Sequence, residues 1–151
     1  SIDMKRLLII VLAMAMSLAT DAQDYTQKYN RLMERTEFYD SYGSLIGWAK
    51  YNSIWDRMEY FDKYGRMVKY EEWNRLFQRR DTKDSYGNTR SSRNYNSLMD
   101  REDIKDAYGN VIGYRKWNDL WERYDVYDSR NNLVGYYKYN SLFNRWEYHK
   151  N

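Results

Sequence analysis

The apolar positions of this chain recur with a period of 22 residues. Phe38, Tyr60, Thr82, Ile104, Val126 and Tyr148 are evenly spaced, and all but Thr82 are aromatic or branched aliphatic. All of these types favour strands over helices. Polar positions keep the same step: Asp40, Asp62, Asp84, Asp106 and Asp128; Asn30, Asn52, Asn74, Asn96, Asn118 and Asn140. Arg35, Arg57, Arg79, Arg101, Arg123 and Arg145 each stand two residues before an acid, namely Glu37, Glu59, Asp81, Asp103, Asp125 and Glu147. The phrase "YDSYGSLIGWAKYN" at Tyr39 returns as "FDKYGRMVKYEEWN", "KDSYGNTRSSRNYN", "KDAYGNVIGYRKWN" and "YDSRNNLVGYYKYN". No insertion interrupts the series, so residues 23–151 form a single repeat domain of five full units and a terminal half-unit.

Glycine identifies the local structure. Gly43, Gly65, Gly87 and Gly109 close the phrase "D-x-Y-G", and in the fifth copy Asn131 takes that place. Gly and Asn tolerate positive φ best. A type I turn followed by a left-handed residue closes a three-residue hairpin loop with a bulge, so these five residues are read as structural turn positions. The Asn before each "S-L" or "R-L" step suits the opposite turn, where its side chain can bond locally.

Counting outward from the first turn predicts that 34 faces 50, 36 faces 48 and 38 faces 46, with equivalents every 22 residues. Glu34 then meets Lys50, Asp100 meets Lys116, Glu122 meets Lys138 and Gln78 meets Asn94, while Asp56 with Glu72 clashes. Phe38 opposes Ile46, Tyr60 opposes Val68, Ile104 opposes Ile112, Val126 opposes Val134 and Thr82 opposes Arg90. On the other face Glu59 meets Lys69, and Glu37, Asp103 and Asp125 meet Gly. Such pairs contribute about 0.2–1 kcal/mol each. The spacing of "NSLFNRWEY" also permits a short helix, but no helix cap recurs. The absence of Pro suits an unbroken ladder.

The expectation is all-β: about eleven or twelve strands from tandem 22-residue hairpins. An open single sheet, a solenoid-like stack and a closed barrel all satisfy the pattern. Both strand faces mix charge with rings, which does not suit the lipid-facing band of a membrane barrel. An open sheet or solenoid-like stack is therefore expected. Its weak point should be the polar third unit, with Arg80, Arg90, Ser91, Ser92 and Arg93.

Composition adds the setting. Residues 4–22, "MKRLLIIVLAMAMSLATDA", combine a basic start, an apolar stretch and small residues before Gln23. They read as a signal peptide preceded by Ser1–Asp3, too short to span a membrane. The expected location is secreted, periplasmic or cell-surface, with no membrane span once the signal is removed. Without Cys there is no disulfide framework and no thiolate metal site. The net charge of +3 is too evenly mixed to suggest nucleic acid.

No catalytic residue, cofactor or metal site is expected. The single His149 lies in the incomplete unit without an evident acid–base partner. Carboxylate pairs such as Glu37 with Asp40 and Asp125 with Asp128 recur in every copy, whereas catalysis needs one special pair. The aromatic residues are the candidates for ligand binding: Trp48, Tyr70, Tyr114 and Tyr136 lie one period apart, interrupted at Ser92, and Trp55, Trp73, Trp117 and Trp121 accompany them. Rings at regular rise can stack on sugars or enclose a quaternary ammonium.

The segment "GWAKYNSIWDRMEYFDKYGRM" resembles the choline-binding and related cell-wall-binding repeats of bacterial surface proteins through Gly47, Trp48, Trp55, Tyr60, Phe61, Gly65 and Met67. The phrase "YDSYGSL" is similar to the YD repeats of secreted toxin shells. The first resemblance implies a hairpin solenoid with aromatic cages between units. The functional expectation is an exported, non-catalytic binding module for cell-wall glycan or another envelope component. The alternative is a structural or adhesive spacer.

Overall fold

The computed structural model describes residues 23–151; the signal-peptide assignment to residues 1–22 falls outside them. Among the described residues the chain is all-β. Six short strands, β2 (Arg35–Asp40), β4 (Arg57–Asp62), β6 (Arg79–Asp84), β8 (Arg101–Asp106), β10 (Arg123–Asp128) and β12 (Arg145–Lys150), alternate with six others. These are β1 (Tyr25–Asn30), β3 (Leu45–Asn52), β5 (Met67–Asn74), β7 (Thr89–Asn96), β9 (Val111–Asn118) and β11 (Leu133–Asn140). Neighbours in sequence pair antiparallel, and β1 also pairs with β12 through Tyr25↔Tyr148, Thr26↔Glu147 and Gln27↔Trp146.

The sheet is thus a closed barrel of twelve strands, not the expected open sheet or solenoid-like stack. An open stack would leave two edge strands with unpaired backbone groups, and closure removes both edges. The seam is sealed by side chains as well: Tyr25 packs against Phe38, Tyr137 and Tyr148, and its hydroxyl donates to the Tyr137 hydroxyl at 3.0 Å.

Two loop types alternate between the ends. At one end Asp40 O accepts from Gly43 N at 3.0 Å, Asp40 Oδ1 accepts from the amides of Tyr42 and Ser44, and Gly43 has φ 80°. The same turn recurs at Asp62, Asp84, Asp106 and Asp128, with Asn131 at φ 65° in the last. At the other end, Asn30 pairs with Arg35 across a four-residue loop. Asn30 Oδ1 accepts from Met33 N, and Glu34 adopts φ 51°. Asp56, Gln78, Asp100, Glu122 and Asn144 repeat that left-handed step.

The bulge in the Asp turn corrects the expected register. Tyr39 faces Leu45, but Phe38 faces Gly47 and Thr36 faces Ala49, so Ile46 is skipped. Equivalent skips follow at Val68, Arg90, Ile112 and Val134. The pairs Phe38–Ile46, Tyr60–Val68, Thr82–Arg90, Ile104–Ile112 and Val126–Val134 therefore do not form. Glu34, Asp56, Gln78, Asp100 and Glu122 lie in loops, outside the ladder. Lys50 instead pairs with Glu59 and sends Nζ to the Met33 carbonyl at 3.2 Å; Lys116 does the same to Met99. Glu59 faces Tyr70, and Glu37, Asp103 and Asp125 face Trp48, Tyr114 and Tyr136, where Lys69 and Gly were expected.

Strand alternation sends Thr36, Phe38, Ala49, Met58, Tyr60, Val126, Tyr137, Trp146 and Tyr148 into the lumen, where they are buried. Small residues make room for large ones: a Cβ on Gly135 would lie 2.3 Å from the Tyr148 hydroxyl. Across the lumen, β5–β9 contribute Lys69, Glu71, Thr82, Ser91, Arg93, Glu102, Ile104 and Arg115.

Candidate functional site

The candidate rings fall into two groups. Trp48, Tyr70, Tyr114 and Tyr136 stand on the outer wall, each beside an Arg and its acid. The Arg35 guanidinium lies 4.0 Å from the centre of the Trp48 ring, and its Nη2 is 2.7 Å from Glu37 Oε2. Arg57 sits over Tyr70 at 4.1 Å, Arg101 over Tyr114 at 3.9 Å and Arg123 over Tyr136 at 4.1 Å. The far side of three of these rings is also covered, since Trp48 stacks on Phe61, Tyr114 on Tyr127 and Tyr136 on His149. Ser92 leaves the third column without its ring. The wall is therefore a set of guanidinium–ring stacks, each contact contributing about 0.5–1 kcal/mol. A sugar or ammonium ligand would have to displace those partners.

The acids of the wall are tightly held. Burial alone would raise the Glu37 pKa, but hydrogen bonds from Asn30, Arg35 and Tyr39 outweigh it and keep the carboxyl below its ordinary value. Glu147 follows the same logic, with Arg145 and Asn140 as donors. The carboxylates of this series brace the Asn loops, because Asn30, Asn52, Asn74, Asn96, Asn118 and Asn140 each donate to one. His149 rests on Tyr136 with Nε2 3.5 Å from Glu147. Among the described residues no group of His, Asp or Glu has the arrangement of a metal site.

The second group lies at the Asn-loop end. Trp73 and Trp117 share the inward face of their strands but stand beyond the buried layer. With Tyr29, Tyr51, Tyr95 and Tyr139 they line the barrel mouth, each partly exposed. Several anchor the loops: Tyr51 donates to Asp56, Tyr95 to Asp100 and Tyr139 to Asn144, and Trp117 Nε1 donates to Asp119 at 2.8 Å. Trp55 and Trp121 sit in the loops themselves, with Arg57 and Arg123 at 5.7 and 5.8 Å from their rings.

These loops carry what the sequence reading missed. Leu32, Ile54, Leu76, Leu98, Leu120 and Leu142 are 82–95% exposed. The residue after each, Met33, Trp55, Phe77, Met99, Trp121 or Phe143, is 46–67% exposed. The barrel places all twelve side chains at one end. A signal was available: each Asn turn is followed two residues later by an apolar pair, where a solvent loop would be polar. The opposite end presents Tyr42, Tyr64, Tyr86 and Tyr108 among Asp, Lys and Arg.

The chain matched no family model, no curated protein and no solved structure in three comparisons.

Proposed function

We propose that this protein is an exported, non-catalytic binding module that engages a component of the cell envelope through the Asn-loop end of its barrel. The observation that carries the reading is the set of twelve exposed large apolar side chains in six loops at that end. Large exposed apolar surfaces gathered at one place on a protein mark interaction sites. The covered wall rings are what a spacer would also need for stability. The loop end is what a spacer would not need, and that favours binding over the structural reading. Export rests on the signal-like leader. The absence of catalysis rests on repetition: the Arg–acid pairs recur in all six units and are held as braces.

The test is retention of the purified chain on peptidoglycan, on a panel of cell-wall glycans and on envelope lipids, with tryptophan emission as the second signal. Retention on at least one of them, lost when Trp55 and Trp121 are both changed to Ser, is the expected result. Failure to be retained on every one, with unchanged emission, rejects the reading in favour of a spacer.

A further inference from the structure

The geometry points to a lipid bilayer surface as the partner of the loop end, with the barrel standing on the membrane and its loop tips inserted among the headgroups and upper acyl chains. This inference rests on the binding reading above and names its partner.

Three observations carry it. The first is the order of side chains along the barrel axis. Outermost are Leu32, Ile54, Leu76, Leu98, Leu120 and Leu142; the first rungs beneath the loops carry, on the inward face, the rim that includes Tyr51, Trp73, Tyr95 and Trp117 and, on the outer wall, the Arg–acid pairs. Aliphatic tips followed by a belt of Tyr, Trp and charge match the environments met on leaving the bilayer core for its interface. Tyr and Trp suit that interface because one end of each ring is apolar and the other polar.

The second is the charge set among the tips. Arg31, Glu34, Asp56, Arg75, Asp100, Asp119 and Glu122 share the loops with the apolar pairs. A crown-to-crown joint with a second copy would strip these groups of water, at a cost of several kcal/mol per unpaired ion. At a membrane the tips bury while the charges stay with headgroups and water. Both signs are present, and Lys50 and Lys116 already reach loop carbonyls. Attachment therefore draws on apolar insertion and needs no anionic lipid.

The third observation limits the depth. Arg35, Arg57, Arg79, Arg101, Arg123 and Arg145 ring the outer wall with their acids, directly below the loops. Charge on the lipid face of a barrel is strongly disfavoured near the bilayer midplane. The wall therefore stops insertion at the loops.

The experiment uses the chain from Gln23 to Asn151, which holds every strand of the closed ring and omits the apolar leader that would bind lipid by itself. It is mixed with phosphatidylcholine vesicles, with vesicles of phosphatidylethanolamine and phosphatidylglycerol, and with peptidoglycan. Co-sedimentation and the emission shift of Trp55 and Trp121 are the readouts. Binding to both vesicle types is expected, with little loss in high salt and a blue shift of the emission. The triple variant I54S/L76S/L98S, at sites already exposed, should keep the far-ultraviolet spectrum of the barrel. Its partitioning should fall by about a thousandfold or more, since each buried Leu or Ile is expected to contribute at least about tenfold. Retention on peptidoglycan without vesicle binding overturns the lipid assignment and leaves the binding reading intact. Vesicle binding that the triple variant does not reduce also overturns it, as does concentration-dependent dimerisation in place of vesicle binding.

Discussion

The lumen of this barrel has two sides with different chemistry. From β10 through β12 and β1 to β4, it is filled by Tyr25, Phe38, Met58, Tyr60, Val126, Tyr137, Trp146 and Tyr148. From β5 to β9, the same positions of the same repeat hold Lys69, Glu71, Arg93, Glu102 and Arg115. Arg93 grips Glu71 with two nitrogens at 2.6 and 3.1 Å and reaches Glu102 at 2.8 Å, and Arg115 reaches the other oxygen of Glu102 at 2.8 Å. One backbone therefore accepts either filling, provided that buried charges meet partners. The aromatic side relies on contacts that tolerate small displacements. The charged side relies on bonds that do not, and its desolvation cost is recovered only while the network is complete.

Breaking the network should show the largest contrast. Arg93→Met leaves Glu71 buried and Glu102 half-satisfied, and is expected to cost about 3–5 kcal/mol in urea unfolding. Replacing Glu71 and Arg93 together by Met should recover most of that loss. A single-variant cost under about 1 kcal/mol would erase the distinction between the sides. In the aromatic half, Val126→Ala should cost about 2 kcal/mol, with no dependence on pH between neutrality and mild alkali.

The next contrast is in pH. Burial lowers the pKa of Lys69 to about 7, with Glu71 pulling it upward. In the unfolded chain the ammonium keeps its proton to about pH 10.4. Between these values the unfolded state binds more protons, so stability should rise with pH from about 7 towards 10, by roughly 1–2 kcal/mol. Lys69→Met should flatten this rise in urea titrations at successive pH values. Above pH 10 the sign reverses in the aromatic half. Burial raises the Tyr25, Tyr60 and Tyr137 hydroxyls, so the unfolded chain loses those protons first. The smallest effect belongs to Tyr60→Phe. The Tyr60 hydroxyl is buried without a hydrogen-bond partner among the described residues, and its removal should change stability by less than about 0.5 kcal/mol or raise it.

Much of the fold was legible because its repeat unit is a local device. The Asp turn, its Gly or Asn corner and the Asn-bonded return are written in a few adjacent residues, and the structure contains each of them. The register differs by one because the bulge adds a residue to one strand, so Gly47 stands opposite Phe38 where Ile46 is expected. Closure was not legible at all. A hairpin repeat is compatible with an open or closed sheet, and the choice depends on contacts between Tyr25 and Tyr148, over 120 residues apart in the chain. The candidate site was half legible. The period places Trp48, Tyr70, Tyr114 and Tyr136 on one face, but it does not show that Arg35, Arg57, Arg101 and Arg123 lie on those rings. The apolar tips lie beyond the Asn whose local bonding defines the turn, and only closure of the barrel gathers the six pairs at one end. The third unit, expected to be weak for its polar residues, supplies Arg93, the centre of the luminal network.

The seam between β1 and β12 has a practical consequence. Since Tyr25 and Tyr148 lie side by side, the circle has no privileged origin, and a short linker from Asn151 back to Gln23 would let the chain be opened at another Asp turn instead. Circular permutants of this kind would keep every strand beside its neighbours while moving the charged units from mid-chain to a terminus. The order in which strands emerge during synthesis could then be varied independently of the finished ring.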